Sequence, residues 1–135
     1  MESVACVLDS SAVVSLLRGE EGHRRLHAKL EDADVLAIGA PTLVEIGMVA
    51  NSRFGESGRS LVTEFLEYWD VEVTPFDGRH WRAAFDAFLR YGKGRHPAGL
   101  NYGDCLTYAT ARVAELPLLF VGDDFAKTDV IPALA

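Results

Sequence analysis

Five acidic residues are placed so that they could act together: Asp9, Glu45, Asp104 and the adjacent pair Asp123 and Asp124. Asp9 closes the apolar run "VACVLD", and Asp123 and Asp124 close "LPLLFVGDD". Glu45 is the one acid in the apolar stretch "TLVEIGMVA", and Asp104 opens "DCLTYATA". Even a neutral polar group left without a partner in apolar surroundings costs roughly 2–7 kcal/mol, so a charged one needs pairing or a cation. Carboxylates brought together repel, and without a cation some of them stay protonated near neutral pH. Mg²⁺ and Mn²⁺ resolve that conflict, because hard divalent ions prefer oxygen ligands and retain several waters. Water on such an ion loses its proton more readily, and the ion offsets charge on a phosphate, which is the chemistry of phosphodiester hydrolysis.

Each acid also has an ordinary explanation. Asp9 and Asp104 could each cap the helix that follows. Asp123 and Asp124 could form a turn. Glu45 could pair with a buried Arg53, although Glu is seldom found within an apolar face. Taken together these explanations are weaker, since unrelated accidents must then place the acids at one edge of the molecule.

That edge follows from the elements. "VACVLD", "VLAIG" (35–39), "VEVTPF" (71–76) and "LPLLFVG" (116–122) read as short strands, the third by alternation and the others as runs buried on both faces. Helices are predicted over 10–19, 21–33, 40–55, 57–69, 78–91 and 102–115. Pro41 suits a first helical turn, and Trp81, Phe85, Phe88 and Leu89 share one side of the fifth helix. "GKGRHPAG" is a loop by composition, and the tail from Asp123 reads as short and irregular. Strands alternating with helices predict an α/β fold: a three-layer α/β/α sandwich around a central, mainly parallel sheet. Ligands of such sheets bind beyond the carboxyl ends of the strands, where Asp9 and Asp123–Asp124 fall.

The 135 residues and a 49% hydrophobic content suit one domain, 1–135. No apolar run is long enough to span a bilayer, and "VACVL" lacks the basic leader of a signal peptide, so a soluble cytoplasmic protein is expected. Cys6 and Cys105 read as buried thiols, and with four scattered histidines they make no zinc-type spacing. The net charge of −7 argues against simple electrostatic binding of nucleic acid. Between Arg79 and His96, however, five Lys/Arg stand against the single acid Asp86. That segment is either a solvated face or the place where an anionic substrate is held beside an acidic site.

The segments "VLDSSAVVSLL", "PTLVEIGMV", "GKGRHPAGLNYGDCLTYATA" and "PLLFVGDDFAKTDV" resemble the PIN-domain ribonucleases, specifically the VapC toxins of bacterial toxin–antitoxin pairs. The resemblance runs from about Val4 to Ile131. Where the family has Asp-Thr-Ser, this chain has Asp9-Ser10-Ser11, which preserves the hydroxyls. The resemblance implies a PIN-like fold and a Mg²⁺-dependent site (Mn²⁺ as an alternative) mapped onto Asp9, Glu45, Asp104 and Asp124. It gives Asp123 a lesser role, Asp129 an outer contact, and Ser11 the orientation of Asp9. It further implies a structured RNA substrate such as transfer or ribosomal RNA. A VapB-type antitoxin, a homodimer, and a heterotetramer or larger assembly with the antitoxin complete the implication. On this reading Asp9, Asp104 and Asp124 hold one metal, directly or through water, Glu45 lies across the site, either at a second metal or orienting the nucleophilic water, and Lys93, Arg95 and His96 meet RNA phosphates. Tyr91 and Tyr102 are then candidates to stack on unpaired bases. A phosphoryl-transfer enzyme of the haloacid-dehalogenase type is the competing enzyme class, but it needs an acid two residues after Asp9, where Ser11 stands. A receiver domain is also disfavoured, because its acid pair follows the first strand. A non-catalytic binding module is the remaining alternative, and it predicts no saturable metal-induced stabilisation.

Overall fold

The computed structural model describes residues 4–134, so the first three residues and Ala135 of the expected domain lie outside it. Its strands are β1 (Ala5–Leu8), β2 (Val35–Gly39), β3 (Glu72–Thr74) and β4 (Leu118–Leu119). Its helices are α1 (Ser10–Arg18), α2 (His23–Asp32), α3 (Ala40–Phe54), α4 (Ser57–Tyr68), α5 (Gly78–Tyr91) and α6 (Tyr102–Ala114). A short 3-10 turn covers Phe125–Lys127. The strands form one sheet in the order β3-β2-β1-β4, with every neighbouring pair parallel. This is the α/β/α arrangement expected from the alternation.

The strand order places the site. From β1 the chain moves outward through β2 to β3, then returns to the opposite side of β1 with β4. The carboxyl ends of β1 and β4 therefore flank the point where the order reverses, which is where open α/β sheets bind ligands. Leu119 O accepts the Asp9 N–H at 3.0 Å, so this pairing continues to the acid itself.

One buried cluster joins β1 and β2 to α1–α4 through Cys6, Leu8, Val13, Leu30, Ile38, Ile46 and Phe65. On the other face Val7, Ala37, Ala87, Leu100, Tyr108 and Leu118 tie the sheet to α5 and α6. Both cysteines are free and buried, as expected.

Three expectations need correction. β3 and β4 are three and two residues long, shorter than 71–76 and 116–122. β3 is an edge strand with Glu72 and Val73 exposed, and Pro75 cannot donate to continue it. The tail is not merely irregular: Leu118 N–H donates to Ile131 O and Ala133 N–H to Leu118 O, both at 2.8 Å, so the segment around Pro132 lies along β4. Finally, the large side chains of α5 do share one side, but Trp81, Phe85, Phe88 and Leu89 are all exposed. The buried face of α5 is His80, Ala84 and Ala87, whose small alanines let the helix pack closely on α6.

Candidate functional site

Asp9 is the N-cap of α1. Its Oδ2 accepts the Ser11 N–H at 3.1 Å and the Ser11 hydroxyl at 2.5 Å. The same Ser11 Oγ accepts the Val121 N–H at 2.9 Å. Ser11 thus fastens a buried carboxylate at the end of β1 to the segment leaving β4, which carries Asp124. Capping and site-building are not alternatives for Asp9, because the cap uses Oδ2 and leaves Oδ1 available to another partner. Ser11→Ala removes both hydrogen bonds made by the hydroxyl. We expect it to lower cleavage of RNA by roughly 10–100-fold, the usual effect of losing a group that orients a metal-binding side chain. The accompanying loss of stability should be only about 1 kcal/mol. A cleavage assay paired with thermal melting checks this, and an unchanged rate removes Ser11 from the site.

Asp104 does not open its helix, contrary to the sequence reading. Asn101 is the cap, with its side chain accepting the Asp104 N–H at 2.8 Å, while Asp104 Oδ2 accepts the Asn101 N–H at 3.1 Å. This capping box pins the carboxylate at the third helical position. Burial pushes the Asp104 pKa up to about 6; the Asn101 N–H opposes the rise, and the charges of Asp9, Asp124 and Glu45 add to it. Asp9, Glu45 and Asp124, from three other segments, therefore lie near enough for their charges to reach Asp104.

Glu45 reaches this group from α3. Its setting differs from the apolar interior that the sequence suggested: it is half-buried, while Val44 and Met48 beside it are exposed. Its carboxylate lies against Gly103, next to Asp104. Arg53, the alternative partner, is exposed about two turns farther along α3.

The remaining expected residues fall elsewhere. Asp123 is exposed and borders a separate hollow with Glu21, Arg25 and Phe120. Asp129 accepts the Tyr108 hydroxyl at 2.6 Å and Arg112 Nη1 at 3.0 Å, with Arg90 Nη1 at 3.5 Å. Burial works upward on Asp129, yet that hydroxyl and the two guanidiniums hold it below the ordinary carboxylate range. Its oxygens are committed to fastening the tail onto α5 and α6. In the basic loop, Lys93 borders a groove with Asn101 and Tyr102. Arg95 Nε donates back to Leu89 O at 3.2 Å, with its guanidinium 5.6 Å from the centre of the Phe88 ring. His96 Nδ1 accepts the Ala98 N–H at 3.0 Å, and its ring meets the edge of Tyr91. Of the three basic residues, Lys93 is the one the fold brings beside the start of α6. Asn101 was missed, although the N-x-x-D spacing of "NYGD" is a readable capping signature.

Among the described residues, no three His, Cys, Asp or Glu side chains are already drawn tightly enough to enclose an ion. One oxygen of Asp9 and one of Asp104 are turned to local hydrogen bonds. The donor set still fits a hard divalent cation. It consists of carboxylates, and a cation would favour the charged form of Asp104, which burial chiefly, and the charges of Asp9, Asp124 and Glu45 secondarily, disfavour.

The PIN domain family profile matches residues 6–131. Over 125 residues the chain is 44% identical to VapC ribonuclease Mb2004c of Mycobacterium bovis and to ribonuclease VapC36 of Mycobacterium tuberculosis, covering 92% of this chain and 90% of each relative. Among solved structures, VapC20 of M. tuberculosis, a Sarcin-Ricin loop cleaving toxin, superposes with a TM-score of 0.75 at 18% identity, covering 93% of this chain and 96% of that one. VapBC2 from Rickettsia felis, bound to a DNA fragment from its promoter, also gives 0.75 at 14% identity, with 96% of both chains covered. A nuclease fold with clustered acids at the sheet's switch point thus has its relatives, and the chain belongs to the PIN-domain family. Within that family it is one of the VapC ribonucleases, the RNA-cleaving toxins of VapBC pairs.

Proposed function

We propose that the chain, working over residues 1–135 as one PIN domain in the cytoplasm, is a divalent-metal-dependent endoribonuclease that hydrolyses a structured RNA. A VapB-type antitoxin restrains it. The observation that carries the reading is the setting of Asp104: burial chiefly raises its pKa to about 6, and the charges of Asp9, Asp124 and Glu45, reaching it from three other segments, raise it further. Bound Mg²⁺ or Mn²⁺ supplies a more acidic water and offsets charge on the phosphate. Asp9, Asp104 and Asp124 hold the ion. Ser11 keeps one Asp9 oxygen fixed so that the other can point into the site. Glu45, across the group, orients the attacking water and accepts its proton. Lys93, together with the exposed Arg95 guanidinium, draws phosphates toward an otherwise acidic body. One fold neighbour cleaves the Sarcin-Ricin loop, which supports an RNA loop as the substrate class.

The haloacid-dehalogenase alternative falls with the family match, and the second acid it needs is replaced by Ser11, whose hydroxyl is given to Asp9. Mapping new 5′ ends of cellular RNA after induction, with Asp9→Asn as the control, tests the main reading. Discrete cleavage sites that vanish in the control are expected. An identical pattern from the control sinks it. No helix among the described residues is long and apolar enough to cross a membrane.

The assembly reading is a homodimer, and a heterotetramer or larger complex with antitoxin. It is supported by an apolar face that runs from Val44 and Met48 on α3, over Tyr102 and Leu106 on α6, to Trp81 and Phe85 on α5. Five of these side chains are 53–81% exposed. They present roughly 600 Å² of surface, near the upper end for a patch on a monomer and most of the about 800 Å² per partner that a stable interface uses. Tyr102 and Leu106 border both hollows of this face. We place a two-fold axis beside them, so that the α3 end of the face on one copy meets the α5 end on the other.

A further inference from the structure

We infer that Gly103 is a positioning residue, whose missing side chain is the space in which the Glu45 carboxylate lies. A Cβ built on Gly103 would overlap Glu45 Oε2, and its three nearest heavy atoms, Oε2, Oε1 and Cδ, all belong to the Glu45 carboxyl group. Nothing in the backbone asks for glycine there. Gly103 stands in the first turn of α6, and its φ is not among the positive values that glycine alone adopts easily. Glycine in a helix is less stable than alanine, so an alanine at this position would favour the helix itself. The contrast with other helical glycines is specific. At Gly47 and Gly78 an added Cβ meets nothing within 4 Å, and at Gly58 it meets the backbone of Ala50 in the packing of α4 on α3. Only at Gly103 does the vacant volume hold an acidic group of the candidate site.

The consequence is a division of labour along "NYGD". Asn101 fixes Asp104 through the capping box, and Gly103 admits Glu45 from α3 to the same side. The sequence spacing of Gly103 and Asp104 then sets how far apart the two carboxylates stand. This inference rests on the metal-dependent nuclease reading for its purpose, but its geometry can be tested without a metal.

Gly103→Ala, Glu45→Asp and the double variant form the experiment. In metal-free protein, Gly103→Ala should melt at or above the parental temperature while shifting the ¹³C resonance of the Glu45 carboxyl. In Mn²⁺ titrations followed by thermal stability, Gly103→Ala should raise the half-saturating concentration by about fivefold to tenfold. Glu45→Asp withdraws the carboxylate by one methylene, so adding Gly103→Ala in that background should produce no further loss. An unmoved Glu45 resonance overturns the inference, as do additive losses in the double variant. If the parent itself shows no saturable Mn²⁺ shift, the metallonuclease reading fails, and the carboxyl resonance still decides the role of Gly103.

Discussion

Asp104→Asn will abolish most metal-dependent RNA cleavage and, at pH 7, make the metal-free protein more stable. The rate should fall by about 100-fold or more, since even the outer partners of metal-binding groups are worth 10–100-fold. The helix start survives the substitution, because the Asn amide oxygen can still accept the Asn101 N–H. The gain in stability follows from the direction of the Asp104 shift. Its folded-state pKa of about 6 lies above the ordinary 3.8, so its contribution to stability is full below about pH 4 and is lost as pH rises through about 6. Above that range the ionised, partly buried group opposes folding, by an amount that solvent screening reduces, and a neutral Asn relieves this. Melting temperatures of the two proteins should therefore differ at pH 7 and converge below pH 4. Saturating Mn²⁺ should restore stability to the parent and do little for the variant. A folded Asp104→Asn protein that cleaves RNA at the parental rate would remove Asp104 from the chemistry.

The second large effect concerns assembly. Met48→Glu and Phe85→Lys, at opposite ends of the apolar face, should each weaken self-association by about 100-fold or more, because each buries two unpaired charges in a symmetric dimer. A mixture of the two variants should associate again. In the mixed pair, the carboxylate introduced on one copy stands opposite the ammonium introduced on the other at one end of the face, and the original Met48 and Phe85 meet at the other end. Tyr68→Glu, on the exposed side of α4, serves as the control and should leave self-association unchanged. Sedimentation velocity reads the three single variants, the mixture and the wild-type chain. Monomeric wild-type chain at tens of micromolar would overturn the homodimer, and failure of the mixture to associate would reject the head-to-tail placement of the two ends.

Most of the fold was legible from the chain because its local signals agree with its packing. The strand over 35–39 and the helices at 40–55, 78–91 and 102–115 match the observed elements within a residue or two at each end. Gly19, at a φ of 63°, ends α1 where the sequence placed a stop. Strand ends were less legible, because they depend on partners remote in the chain. β4 is cut short where the chain turns away to pass Ser11, and nothing within "LPLLFVG" announces that contact. The exposed side of α5 was misleading for a different reason: periodicity identifies a face but does not say which face the tertiary structure covers, and here the alanines are buried.

The site divides in the same way. Asp9 and Asp124 could be placed from strand ends alone, since the switch-point rule needs only the order of elements. Glu45 was picked out for being enclosed, whereas what distinguishes it is its neighbour on α6, Gly103, which has no side chain. Asp129 looked similar in type and could be assigned only by seeing the Tyr108 hydroxyl and the two arginines that occupy it.

The short segment beside β4 has one more effect. Strands at sheet borders invite strangers, because their unused amides and carbonyls can template a further strand. Here the border beside β4 is occupied by the protein's own tail, and its central residue, Pro132, has no amide hydrogen to offer onward. The opposite border, β3, is three residues long and halts at Pro75. Recruitment by sheet extension is thus discouraged on both flanks, and a partner protein is left the helices and loops as its means of recognition.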